Sequence, residues 1–383
     1  MASTQTTKKK KKERHNFDYV LLTVVLFLLA FGLMMVYSAS SYDASIDYND
    51  STYYLKKQLL SNVLGLIAMF FVARIPYQFW KRFDAYAVIG AAVLLLLLKI
   101  PGLGVTRNGA TRWLDLHIGL TLQPAEVAKL AIIIYMASIL TKLGKNIRTI
   151  KGFAIAMVPP TFIALLIYVI SKNLSSAIIV MGIAVAMLFV AVPDYKGFII
   201  AGVGGLAAVV GVVFFAVNGD SSKSFRLTRV KAWLDPESYS TDKAFQTLQA
   251  LYAIGSGGIW GKGLGQSMQK RNYLPEPQND MIFSIICEEL GLFGAMAVIL
   301  LFIVLIWCCM VIANNTVDQF GALVVVGVMA HYAIQVILNI AVVTNTIPNT
   351  GITLPFISYG GSSVLFLLIE IGIVLNVSKS VRY

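Results

Sequence analysis

The sequence predicts an all-α integral membrane protein of about ten transmembrane helices, with a large extracytoplasmic loop between spans seven and eight. Two observations carry that expectation. Of 383 residues, 57% are hydrophobic and 13% charged, with a mean hydropathy of +0.75, whereas soluble domains carry about 25% charged residues. The apolar residues also fall in long runs. At a rise of about 1.5 Å per residue, roughly twenty residues cross the hydrocarbon.

The runs lie at 19–37, 58–73, 85–100, 123–141, 153–170, 174–192, 197–217, 281–313, 319–343 and 363–378. The first follows a basic head, Lys8 to Lys12 and Arg14. It is longer than a secretory signal core and is read as a retained span behind a tail, residues 1–17, that faces anionic lipid. The run 281–313 is too long for one upright span and should tilt or extend beyond the bilayer. The membrane domain is placed at 18–378 and a short C-terminal tail at 379–383. The cysteines Cys287, Cys308 and Cys309 sit inside apolar runs and form no disulfide framework.

Lysine and arginine set the expected orientation. Arg74, Lys81, Arg82, Lys142, Lys145, Arg148, Lys151, Lys196, Lys379 and Arg382 fall in loops on one side. The other side's short loops carry chiefly Lys56, Lys57, Arg107, Arg112 and Lys172, offset by Asp43, Asp47 and Asp50. This bias places both termini in the cytoplasm. The segment 218–280 is then extracytoplasmic, with residues 224–233 compatible with an interfacial helix and a glycine-dense stretch from Gly255 to Gly265. No nucleic-acid partner is expected from the net charge of +12, which falls on tail and loops.

Polar groups at membrane depth or at its edge are costly and are functional hypotheses by default. Asp280 ends the outer segment in Leu274-Pro275-Glu276-Pro277-Gln278-Asn279-Asp280-Met281-Ile282-Phe283. It reads equally as a helix N-cap. Trp113, in Arg107-Asn108-Gly109-Ala110-Thr111-Arg112-Trp113, reads as an interfacial anchor or a substrate contact. Arg112 beside it is suited to a phosphate or to lipid headgroups. Glu126 and Lys129, three residues apart after Pro124, share a helix face, either as a structural ion pair or as part of a site. Glu288, Glu289, His331 and Glu370 stand as isolated ionisable residues within spans. The last outer loop, Thr346 to Ser363, holds Ser358 and Gly360 among two prolines and three glycines. Irregular backbone there is tolerated where it lines a cavity or is buried in protein. No metal-ligand spacing, serine triad or phosphate loop is present.

Together these segments resemble the SEDS family (shape, elongation, division and sporulation), the peptidoglycan polymerases typified by FtsW and RodA. The resemblance runs from about Asp18 to Val377. It is carried by the Leu-Pro-Glu block through Asp280 to Glu288-Glu289-Leu-Gly and by Leu354-Pro-Phe-Ile-Ser-Tyr-Gly-Gly-Ser-Ser363. The Asn-Gly-Ala…Arg-Trp and Gln-Pro-Ala-Glu…Lys blocks before them, and the stretch after Gln246 and Gln249, also fit. Ala125 stands where serine is common in the family, and Met281 where phenylalanine is. Met35 to Ser40 and Glu276 to Asp280 look closer to FtsW and SpoVE than to RodA.

The resemblance implies an inverting glycosyltransferase that polymerises lipid II into β-1,4 glycan outside the cytoplasmic membrane, for septal synthesis in division. Undecaprenyl diphosphate leaves. The implied partners are a class B penicillin-binding transpeptidase and divisome proteins. It maps an essential aspartate onto Asp280, an essential tryptophan onto Trp113 and an ion pair onto Glu126 and Lys129. Asp280 would act as general base on the acceptor hydroxyl, with Arg112, Arg226, Lys262 or Arg271 offsetting the diphosphate. A divalent cation is compatible with that task, although no dedicated ligand set is visible. Two rival readings stay open: a lipid II flippase, separable by flipping without polymerisation, and a scaffold for the transpeptidase, separable by Asp280 variants that keep cell function.

Overall fold

A computed structural model of the chain describes residues 17–107, 110–115, 121–192, 197–198, 233–238, 244–271 and 273–381. The lysine head, most of the run at 197–217 and the expected interfacial helix apart from Trp233 lie outside the described residues.

The described chain is a helical bundle: α1 (Tyr19–Tyr48), α2 (Tyr53–Val72), α3 (Asp84–Leu97), α4 (Pro124–Leu143), α5 (Ile150–Ile170), α6 (Leu174–Ala191), α7 (Phe245–Gly257), α8 (Ile282–Asn315), α9 (Gln319–Val343) and α10 (Gly361–Ser378). Among the described residues eight helices are long and apolar enough to cross a membrane. They are α1, α2, α4, α5, α6, α8, α9 and α10. The run at 85–100 gives α3, apolar but only 14 residues long.

The helix starts follow from local chemistry. Asp18, Thr149, Asn173 and Asp318 accept from the amides of Leu21, Gly152, Ser176 and Gly321, capping α1, α5, α6 and α9. Pro124 opens α4, where no N–H is needed. Inside α5, Pro159 cannot donate to the carbonyl four residues back. The Tyr135 hydroxyl of α4 donates to that carbonyl, Ile155 O, at 2.6 Å, so the polar group is satisfied within the membrane.

Three features differ from the sequence expectation. The helices α1 and α2 extend beyond their apolar runs, so Asp43, Asp47, Lys56 and Lys57 ride on helix ends instead of loops. Charged heads there still reach water while their stems cover apolar surface. The loop before α4 folds into a small antiparallel sheet, β1 (Gly104–Arg107), β2 (Ala110–Asp115) and β3 (Thr121–Leu122), in the order β1-β2-β3.

The long run at 281–313 becomes α8 with a break at Gly291 (φ 67°, ψ −166°), so it bends instead of simply tilting. The break frees carbonyls, and the outer segment takes them. The amides of Lys262 and Gly263 donate to Glu288 O and Glu289 O, and those of Leu292 and Phe293 donate to Gly258 O and Ile259 O. The two backbones touch here: a Cβ at Gly291 would sit 2.3 Å from Gly261 N, so neither chain tolerates a side chain at the crossing.

Candidate active site

A cavity of about 770 Å³ opens where the sheet, α2, α7, the start of α8 and the last outer loop meet. That volume is in the range of small-molecule sites. Asp280, Arg112, Trp113 and Gly360 all line it. So do Leu60 and Leu64 of α2, half-exposed apolar side chains on its outer flank.

Asp280 stands at the turn into α8 but does not cap it. The N-cap position is Met281 and receives no side-chain hydrogen bond, which removes the capping reading. The carboxylate is only partly open to the cavity. It accepts one long hydrogen bond, from Gln246 Nε2 of α7 at 3.3 Å. Burial, followed by the negative Glu276 beside it, pushes its pKa up to about 6, against the opposing pull of Arg112 and Gln246. Gln246 also holds α7 to the last loop, accepting from Asn349 Nδ2 at 2.9 Å.

The last outer loop dips into the bundle: Leu354, Phe356, Ile357 and Ser358 are buried. Ser358 closes its turn by accepting from Leu354 N at 2.7 Å, while Gln58 of α2 accepts from Gly360 N at 3.1 Å. Tyr359 N donates to Gln278 O at 2.9 Å and joins the loop to the Asp280 segment. Gly360 therefore faces the cavity, and Ser358 shapes the turn that puts it there.

Glu126 and Lys129 pair at 2.7 Å, both buried, one helical turn below the cavity wall. Ser363 on that wall donates to Glu126 at 3.4 Å. Lys129 also donates to Gln335 of α9 at 3.2 Å. The ionisable residues read as isolated are all partnered. His331 meets Glu370 at 2.9 Å, Lys262 meets Glu288 at 2.8 Å, and Lys270 meets Glu289 at 2.7 Å.

Those pairings correct part of the expected cation set. Lys262 points to Glu288 and Arg271 sits on the exposed outer segment; neither lines the cavity. Their segment is drawn to α8 by the buried carboxylates instead. Arg226 lies outside the described residues. Lys57 is a cation that does line the cavity, from α2, its ammonium 2.6 Å from Tyr53 Oη and 4.4 Å above that ring. In sequence it stands only as a loop charge; its place one turn before the polar Ser61-Asn62 pair was the available signal. Among the described residues no group of three or more His, Cys, Asp or Glu comes together as a metal site.

The pattern of the cell cycle protein family of FtsW, RodA and SpoVE matches residues 19–383. The chain is 41% identical over 366 residues to stage V sporulation protein E of Bacillus subtilis, covering 96% of this chain and 98% of that one. It is 38% identical to the "Probable peptidoglycan glycosyltransferase FtsW" of Trichlorobacter lovleyi, covering 96% and 94%. In fold it is similar to a chain of a peptidoglycan synthase complex that coordinates polymerization and crosslinking, with TM-score 0.77, 23% identity and coverage of 94% and 97%. It is also similar to the rod shape determining protein RodA of Thermus thermophilus, with TM-score 0.69, 22% identity and coverage of 96% and 98%. Through the match along nearly its whole length, the chain belongs to the FtsW/RodA/SpoVE family of cell cycle proteins and is a multi-pass membrane protein.

Proposed function

We propose that this chain is a peptidoglycan glycosyltransferase that polymerises lipid II on the outer face of the cytoplasmic membrane. The observation that carries the reading is Asp280: a carboxylate on a cavity wall, raised to about 6 by burial and held by one long side-chain hydrogen bond. A base near the working pH combines the right protonation state with useful driving force, which an ordinary aspartate of about 3.9 does not.

Asp280 takes the proton from the 4-hydroxyl of the acceptor sugar. The freed oxygen attacks the donor's anomeric carbon from the face opposite the diphosphate. The carbon–oxygen bond to the diphosphate breaks, giving an inverted β-1,4 link. Arg112 and Lys57 offset the charge that collects on the departing undecaprenyl diphosphate. Trp113 offers an aromatic face to a sugar ring, and Leu60 and Leu64 an apolar flank to the lipid tail. The Glu126–Lys129 pair supports the wall through Ser363. A class B penicillin-binding transpeptidase and divisome proteins are the proposed partners, septal synthesis the proposed setting, and both termini are placed in the cytoplasm. The partners and setting rest on the family resemblance, and the placement of the termini on the charge bias of the loops.

The test is glycan synthesis from purified lipid II by the chain with its transpeptidase. Wild-type protein is expected to make long glycan with an acid limb near pH 6, because only the ionised carboxylate can accept the proton. Polymer made at the wild-type rate by a folded, partner-bound Asp280→Asn variant would remove Asp280 as the base.

A further inference from the structure

One face of α9 carries three buried polar side chains at successive turns, His331, Gln335 and Asn339. Four-residue spacing stacks them in a line. None was read as a site residue from the sequence, and only the first is ionisable. Each of the upper two holds a carbonyl of the last outer loop. Gln335 Nε2 donates to Thr353 O at 3.0 Å. Asn339 Nδ2 donates to Ile352 O at 2.7 Å and to Asp280 O at 2.8 Å.

The amide orientations follow from the neighbours. Lys129 can only donate, so the oxygen of Gln335 faces it and its nitrogen faces Thr353. The same oxygen faces His331 Nε2 at 2.9 Å, so that nitrogen carries the hydrogen and Nδ1 turns to Glu370. At Asn339 both hydrogens of one nitrogen go to backbone carbonyls, and Oδ1 has no partner among the described residues. Flipping the amide would set an oxygen against two carbonyls. The unpaired oxygen is the cost of placing the nitrogen between the two carbonyls.

We infer that Asn339 is a positioning residue for the proposed base: it bridges the backbones of Asp280 and Ile352 and so fixes where the carboxylate stands in the cavity. The inference rests on the reading of Asp280 given above. Two geometric facts make the bridge matter. Among the described residues the carboxylate takes one side-chain hydrogen bond, of 3.3 Å, so its place is set largely by its own backbone. At Gly351, next to the bridged Ile352, an added Cβ would lie 3.8 Å from Asp280 Oδ2 and 3.9 Å from an Arg112 guanidinium nitrogen, so this part of the loop lies near both groups. Loop and carboxylate thus take their relative heights from one buried amide on α9, and the Arg112 guanidinium stands beside both.

The experiment measures lipid II polymerisation by the full-length chain with its transpeptidase, across pH, for wild type, Asn339→Leu and Asn339→Ser. Leucine removes both donors at similar volume without adding charge; serine restores one short donor. For Asn339→Leu the expected result is a kcat lowered at least tenfold, a KM for lipid II changed less than threefold, and an acid limb moved below about pH 6. The limb moves down because a released carboxylate gains water. The charged groups facing it, Glu276 from its own segment and Arg112 from β2, are unaltered. Asn339→Ser should recover part of kcat and part of the limb, and it gives the same reading should the leucine variant not fold. A wild-type kcat and pH profile in Asn339→Leu overturns the inference. So does a lower kcat with an unmoved acid limb, the mark of fewer folded molecules. A wild-type chain that makes no glycan with its partner overturns the proposed function, and this inference with it; unaffected variants beside an active wild type overturn the inference alone.

Discussion

The stretch from Asp280 to Glu289 carries three carboxylates in two opposite settings. Glu288 and Glu289 are wholly buried and saturated. Glu288 takes Lys262 Nζ at 2.8 Å, the Ser267 hydroxyl and the amide of Met268 at 3.0 Å. Glu289 takes Lys270 Nζ at 2.7 Å and the Ser38 hydroxyl at 2.6 Å. Asp280, at the near end of the same stretch, faces a cavity with one long side-chain bond. The difference separates acids that fasten the outer segment to the bundle from an acid left available for proton transfer. Both exposure to the cavity and the count of donors distinguish them.

Removing the charge of each acid or its partner should therefore give opposite phenotypes. Asp280→Asn is expected to lower polymerisation by at least about 10²-fold, the lower end of the range for general-base loss, with the denaturation midpoint in detergent unchanged. A large loss of stability would erase the contrast. Lys270→Met leaves Glu289 buried without its cation, and breaking such a pair costs about 3–5 kcal/mol. Thermal denaturation in detergent should show that as a drop of several degrees. Lys262→Met acts on a pair whose lysine is a third exposed while Glu288 keeps its serine and amide donors. Its cost is expected at about 1 kcal/mol or less, read by the same melt. The smallest effect belongs to Glu276→Gln. Losing the negative neighbour lowers the Asp280 pKa, so the acid limb of polymerisation should shift below about pH 6 by a fraction of a unit. An upward shift would contradict the assigned electrostatics.

Apolar length alone made nearly all the spans readable, because hydrocarbon thickness dictates it. The i,i+3 spacing of Glu126 and Lys129 likewise announced a pair on one helix face, found at 2.7 Å. Long-range partners were not readable. Lys262 and Lys270 reach Glu288 and Glu289 only because the chain doubles back at Gly261 and Gly291, and a single glycine in an apolar run carries no such message. The strands around Trp113 were too short to show alternation. Gln335 and Asn339 escaped notice because a search for charge passes over neutral amides, although an amide serves two carbonyls better than any ionised group. Asp280 and Trp113 took their roles from the family resemblance, whereas Arg112 and Gly360 stood out locally, as a guanidinium at the membrane edge and as part of a broken helix pattern.

Leu60 and Leu64 give one flank of the cavity a half-exposed apolar wall. A molecule anchored by a long acyl chain could arrive there by two-dimensional diffusion, never leaving the plane of its leaflet. Encounter would then scale with the mole fraction of that molecule among the lipids, not with its concentration in water. Diluting a fixed amount of it into more lipid would slow the chain even with every side chain intact.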